Sequence, residues 1–543
     1  MTSTETAVLD RPVVEPAAGG PRRFELRRLA PTVLAGALAL LYVIVSPPSL
    51  DLAAHLLRAK LFSSEGFGLW NNWWYAGHHV MSYSVLFPPL AAALTPQVAA
   101  AIATTATAAM FELLARRQFG EDAWLGSLWF GAATAINLFT GRLTFAFGLL
   151  PAVATALALQ RSRPGAAAGL AVLTAIASPV AALFAALAGA AYAIGRYASL
   201  RRVRAMLAGF IVVICALVPV AVLAIAFPEG GSEPFTFATL WPLPVIALVA
   251  LLAIPKDQWT LRAGAALYGL GCIAAYLFTT PVGSNAARLG ALVAGPLAAL
   301  LWWRKRNALL LAAALPLLYL QWQAPVRDVR TSVGDHSASD AYYRPLMSFL
   351  ARQPGPPFRV EIPFTQFHWE AYKVAPQFPI ARGWERQLDI KYNHLFYGGP
   401  LTPATYLAWL HELAVRFVAV SDARLDYSAH NEKALIDRGL PYLRLVLRTH
   451  HWRMYAVADP TAIVNGAATL RKLGPNSLTL QAVHPGTAFA RVRFTPYWKL
   501  ANGKGCVAPD GPFIALHLRR AGTVRLVIKF SLARIGARSP RCG

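Results

Sequence analysis

Charge is scarce in this sequence, and acid scarcer than base. Only 14% of its 543 residues are Asp, Glu, Lys or Arg, and lysines and arginines outnumber acids 51 to 26. So little charge beside 56% hydrophobic residues excludes an ordinary soluble globular chain. No Walker loop and no Rossmann glycine fingerprint stands between a strand-like and a helix-like segment, which excludes an ATP-driven pump. No segment recurs at solenoid spacing. The excess of base comes without a basic groove motif, so nucleic acid is not an expected partner. Only four cysteines occur. Cys215 and Cys272 lie inside apolar runs and read as packing residues.

What the chain has in abundance is apolar runs. They fall near 29–46, 84–114, 123–140, 143–160, 165–178, 180–195, 205–227, 237–254, 263–279, 287–302 and 308–323, eleven candidate membrane crossings. Residues 1–28, ending in Arg22, Arg23, Arg27 and Arg28, read as a disordered tail before an uncleaved first helix. Basic clusters such as "RRFELRR", "RYASLRRVR" and "WWRKR" recur on the side of that tail. The opposite connections hold Arg58, Lys60, Arg142, Arg288 and little else basic. That asymmetry predicts a cytoplasmic N-terminus, and an odd crossing count then puts everything after 323 outside.

Residues 324–460 alternate strands ("FRVEIP", "RFVAVSD", "RLVLRTHHWRMYAVAD") with helices ("TPATYLAWLHELAV", "NEKALIDRG"), an α/β pattern. From 461 short strands separated by Gly, Pro and Asn turns predict a β-sandwich. Cys506 and Cys542 fall in this exported part, where an oxidising compartment permits a disulfide.

The most chemically loaded stretch is the first external loop, 47–82, with "SLDLAAHLLRAKLFSSEGFGLWNNWWYAGHH" at 49–79. Read as a helix, Asp51, His55 and Arg58 share one face within roughly 60°. Leu52, Ala53, Leu56 and Leu57 fall to the sides, as on a helix lying along a membrane surface. A solvated charged face, with tryptophans as an interfacial belt, is the plain reading of such a loop. An acid at the mouth of a helical bundle is more often functional.

These residues resemble the GT-C-type membrane glycosyltransferases. "DLAAH" followed by "LWNNWWYAGHHVMSYSVLFPPL" is similar to the D-x-x-x-H…W…G…Y…P-L pattern of bacterial YfhO-like integral membrane proteins, a group related to 6-pyruvoyl-tetrahydropterin synthase. The likeness extends to "NLFTGRLTFAFG" (137–148), "GSNAARLG" (283–290) and "TPYWKLANGKG" (495–505). The resemblance implies a polytopic α-helical membrane protein with a GT-C-like domain at 29–323 and an extracytoplasmic C-terminal region. It also implies an inverting glycosyltransferase in a bacterial plasma membrane, using a polyprenyl-phosphate-linked sugar and a glycan or lipid acceptor for envelope assembly.

In such a reaction the acceptor hydroxyl loses a proton as it attacks, and Asp51 is the expected base, oriented by His55. The departing lipid phosphate needs a cation, for which Arg58, Arg142 and Arg288 are candidates. Trp70, Trp73, Trp74 and Tyr75 are expected to stack on sugar rings or prenyl chain. Glu229 and Glu233 could bind acceptor or a divalent cation. "FHWE" (367–370), with Glu361, and the adjacent His78 and His79 have no metal-ligand spacing, so no structural metal is expected. Two other functions fit the same outline. A secondary transporter should carry mid-membrane ionisable groups and an internal repeat. A catalytically silent envelope-assembly protein would keep the fold without the chemistry.

Overall fold

The computed structural model describes residues 21–542, with side chains from Arg27 onward. The expected tail therefore lies largely outside the described residues. Its last part, from Pro21, already belongs to the first helix, Pro21–Val45. The chain is mostly helical with a C-terminal region of β-sheet. It divides into two compact units: one of residues up to 46, 97–220 and 233–326, the other of 47–96, 221–232 and 327–543.

In the first unit every apolar run is helical. Among the described residues, eight helical stretches are long and apolar enough to cross a membrane, as in a multi-pass membrane protein. The stretch 96–139 is two helices joined by a 3-10 turn at Gly120–Asp122. Two further apolar helices, Pro164–Ala177 and Phe237–Ala253, are shorter. Ser178 and Pro179 separate two helices because proline suits a first turn, and the Ser178 hydroxyl accepts from the Ala181 N–H. Small residues let the backbones approach. A Cβ on Gly189 would lie 2.9 Å from the Gly209 carbonyl, and one on Gly131 only 2.5 Å from that of Pro31.

Among the described residues, all the sheet lies in the second unit. Its α/β part is a four-stranded sheet in the order Arg359–Glu361, Val415–Ser421, Trp452–Val457, Leu443–Arg448; the first pair is parallel and the others antiparallel. The run 444–459 reads as one strand in sequence but is a hairpin of Leu443–Arg448 and Trp452–Val457. Its turn at Thr449–His451 is closed by the Thr449 N–H bonding the Trp452 carbonyl. The β-sandwich packs a five-stranded sheet (541–542, 505–510, 513–518, 486–493, 464–466) on a four-stranded one (498–502, 522–528, 477–482, 468–473). Alternation is clean in Ser477–Ala482, where every second residue is buried, and Leu478, Leu480, Ile514, Leu516 and Leu526 fill the core. Cys506 and Cys542 are cross-strand partners joined by a disulfide.

The loop 47–96 belongs to this second unit, not to the helical one in which its place in the sequence would put it. Its helix Leu52–Glu65 is buried at Leu52, Ala53, Ala54, His55, Leu57, Arg58, Ala59 and Leu61. An apolar pattern that runs nearly all round a helix needs cover on every side, so the expectation of a helix lying on a surface by one face is corrected.

Candidate functional site

Asp51 stands immediately before the Leu52–Glu65 helix and is half-buried among residues that are almost all fully buried. Its Oδ1 accepts a hydrogen bond from the indole Nε1 of Trp384 at 2.9 Å. The other face of Trp384 stacks on His368, ring centroids 3.3 Å apart and 8° from parallel, and the Arg386 guanidinium lies 4.6 Å from the Trp384 ring. His368 is fully buried, and neither ring nitrogen has a hydrogen-bond partner among the described residues; the nearest carboxylate oxygens, of Asp426 and Glu370, are 3.7 and 3.8 Å away. Asp426 is held ionised, well below the usual carboxylate range: burial works to raise it, and the bidentate bond from Arg386 overcomes burial.

His55 and Arg58 follow on the helix. The His55 ring is buried, edge-on to Phe87 at 5.4 Å and near Tyr83 at 6.0 Å. Arg58 donates from Nη2 to Glu385 Oε2 at 2.8 Å, and its guanidinium lies 3.8 Å from the Tyr83 ring centroid. Burial raises the Glu385 pKa; Arg58 pulls the other way, and Glu229 and Asp51 add to the rise. Beside Arg58 a shallow, open cleft is lined by Leu61, Phe62, Phe67, Trp70, Met81 and Val85, among others. The Arg58 Nε is buried without a hydrogen-bond partner.

The aromatic cluster has a different role from the one expected. Trp70, Trp73, Trp74 and Tyr75 are all buried. Trp74 donates to the Ala371 carbonyl at 3.0 Å and stacks on His78. The Trp73 carbonyl accepts from the Ile380 N–H at 2.9 Å, and the Tyr75 hydroxyl bonds the Gly383 carbonyl. Trp70 donates to Asn72, whose own side chain donates to the Gly474 carbonyl. Tyr75, Ala76 and Gly77 take positive φ in succession, and at Gly77 a Cβ would meet the Trp70 ring at 2.5 Å. These side chains fasten the loop to residues 371–385 and 474–475. With these rings turned into the fold, an exposed interfacial belt is corrected for Trp73, Trp74 and Tyr75, while Trp70 also lines the cleft.

Glu229 is part of the same fastening. Its Oε1 lies 2.9 Å from His79 Nδ1 and accepts from the His79 N–H, and its Oε2 lies 3.2 Å from the Tyr392 hydroxyl. Burial pushes its carboxyl upward, but the His79 contacts hold it below the usual range. Burial drives His78 down to about 4, so that ring is neutral at neutral pH.

Arg142 and Arg288 lie in the first unit. Arg142 precedes the helix Leu143–Gln160, one turn from Phe145, over whose ring the Arg288 guanidinium sits at 5.4 Å. The Arg288 Nε is buried with no hydrogen-bond partner. Glu233 is in that unit too, accepting from the Ser284 hydroxyl at 2.9 Å. The expected site residues thus fall in both units: Asp51, His55, Arg58, the aromatic cluster and Glu229 in the second, Arg142, Arg288 and Glu233 in the first. Among the described residues no group of three or more His, Cys, Asp or Glu is placed to hold a metal ion.

Sequence reasoning missed Trp384, Glu385 and Arg493. Arg493 donates to the Tyr75 carbonyl at 2.7 Å and covers the Tyr392 ring at 3.6 Å. The segment "ARGWERQLDIKY" (381–392) did carry a signal, a glycine amid alternating charge and aromatics in a stretch with neither strand nor helix period. No protein-family model matches the chain, and no curated protein sequence matches it.

Proposed function

We propose that this protein is an inverting glycosyltransferase that takes its sugar from a polyprenyl phosphate at the outer face of a bacterial plasma membrane. The reading includes eleven crossings, a cytoplasmic N-terminus and an extracytoplasmic second unit. One observation carries it: Asp51 is the half-exposed acid of an otherwise buried segment, with its carboxylate oriented by a single indole N–H. Trp384 occupies Oδ1, which leaves Oδ2 for an incoming hydroxyl.

In the reaction, the acceptor O–H gives its proton to Asp51 as its oxygen forms a bond to the anomeric carbon. The bond from that carbon to the phosphate oxygen breaks, and the polyprenyl phosphate leaves with the electron pair. Arg58 stands by the apolar cleft, a combination suited to a phosphate joined to a prenyl chain. Arg288, expected from the sequence as a second phosphate-binding cation, lies in the other unit and takes no part in this site. His55 stands one turn along the helix that Asp51 precedes, its backbone N–H bonded to the Asp51 carbonyl, and is assigned a positioning role.

The test is mass spectrometry of lipids that co-purify with the protein. A polyprenyl phosphate or its glycosylated form supports the proposal; only bulk phospholipid, from preparations of intact protein, counts against it. The catalytically silent alternative draws on the burial of Trp73, Trp74 and Tyr75, whose rings brace the loop. It predicts no turnover in any donor assay.

A further inference from the structure

The C-terminal sandwich has an uneven charge that the proposed reaction does not use. From residue 461 to 543 there are thirteen lysines and arginines and a single acid, Asp510. Seven of those cations follow Asp510, and four of the seven (Lys529, Arg534, Arg538 and Arg541) lie in or beside the segment 529–541 that connects the last two strands. This segment also exposes apolar side chains: Leu532 is 76% exposed and Phe530 39%. Exposed leucine and phenylalanine amid cations, with no acid in the segment itself, is the composition of a segment that sits in a lipid headgroup layer.

A second observation says where the segment stands. The most apolar candidate span, Val203–Ala226, ends inside the second unit, whose share of the chain resumes at Ala221. Its last turn keeps apolar side chains exposed, Val222 at 56% and Ile225 at 65%. On a span this apolar, such side chains face lipid. The segment 529–541 is built onto the end of that turn. The Tyr497 hydroxyl donates to the Ala226 carbonyl at 2.5 Å, Phe530 packs on Phe227 with ring centroids 5.6 Å apart, and Ile535 joins the same apolar cluster. Arg534 donates to Ser539 and Arg541 to the Lys529 and Tyr497 carbonyls, so these two brace the segment. Lys529 and Arg538 are exposed, as are Leu532 and Phe530.

We infer that the segment 529–541 docks on the anionic headgroups of the bilayer that the Val203–Ala226 helix crosses. Leu532 and Phe530 enter the acyl boundary, and Lys529 and Arg538 meet lipid phosphates. The inference is independent of the transferase reading. The cations act only within about a Debye length, roughly 8 Å at physiological salt, and the anchoring at Phe227 supplies that proximity.

The experiment uses the full chain in lipid nanodiscs, with Cys215→Ala and Cys272→Ala to remove the free thiols and the Cys506–Cys542 bridge left intact. An environment-sensitive fluorophore is attached at Leu532→Cys or, as a reference, at Ala521→Cys. Ala521 precedes the strand Gly522–Ile528 and is about 20 Å further along it at ~3.3 Å per residue. With a phospholipid spin-labelled high on its acyl chain, the label at 532 should be blue-shifted and quenched in phosphatidylglycerol-rich discs, and the label at 521 should not. Lys529→Gln with Arg538→Gln should reduce the quenching at 532, as should discs of phosphatidylcholine alone. Quenching at 532 no greater than at 521 overturns the docking. Equal quenching in both lipids, unchanged by the double substitution, overturns the anionic headgroup as the partner.

Discussion

Replacing Arg58 with methionine keeps an apolar stem in the helix and removes the guanidinium that faces Glu385. The wild-type pair is 2.8 Å apart, with side chains only 8% and 14% exposed. Removing one member of a buried pair costs about 3–5 kcal/mol, since the other charge is left uncompensated. The lower end applies here, ~3 kcal/mol, because Glu385 can escape by taking up a proton. Burial already raises its pKa against the pull of Arg58. A carboxyl whose folded pKa lies above its unfolded one stabilises fully below the unfolded value, about 4.3, and loses that contribution as pH rises through the folded value. Without Arg58 the folded pKa climbs further, so the deficit of the variant should widen from pH 5 to pH 8. At about 2–4 °C per kcal/mol for a unit of this size, the midpoint at pH 8 should fall by roughly 6–12 °C. Adding Glu385→Gln should restore most of it. The assay is thermal unfolding in detergent at a fixed scan rate. An unchanged midpoint at both pH values, or a deficit that widens toward acid, would refute the reasoning.

Gly383→Ala puts a Cβ where the Trp74 ring already is and should cost about 1–3 kcal/mol by overpacking; Gly165→Ala, with open space around it, should leave the midpoint near wild type. Cys506→Ser with Cys542→Ser opens a loop of sequence separation 36 and should cost about 3–4 kcal/mol. Peptide mapping without reductant should find the two cysteines linked, and free alkylation of both in native protein would contradict the bridge. Alkaline phosphatase fused after Gly543 should be active if the second unit is extracytoplasmic, whereas a stable inactive fusion would reverse the orientation.

The apolar runs were legible because a membrane leaves the backbone no partner but itself, so a long apolar stretch must be a helix. The strands at 477–482 and 513–518 were legible from alternation, since one face of each is core. The hairpin at 443–457 was not, because Thr449, His450 and His451 carry no glycine or proline to mark its turn. Asp51, His55 and Arg58 could be picked out by their spacing, but their surroundings could not. The indole that binds Asp51 is 333 residues away and the carboxylate that binds Arg58 is 327 away. Helical spacing reports neighbours one turn off and says nothing of partners that tertiary packing supplies. The tryptophans misled for the same reason. A cluster of indoles reads alike whether it faces a ligand or the rest of the chain, and only the carbonyls of Ala371 and Gly383 and the N–H of Ile380 decide between them.

The central claim is that Asp51 accepts the proton of the attacking hydroxyl, and Asp51→Asn in nanodiscs tests it most directly. Asparagine keeps the size and can still accept from Trp384, so folding and co-purification of lipid donor should match wild type. With the lipid-linked sugar found on the purified protein as donor, turnover should fall by about two or more orders of magnitude. Near-normal transfer by Asp51→Asn, beside an active wild type, would contradict the account.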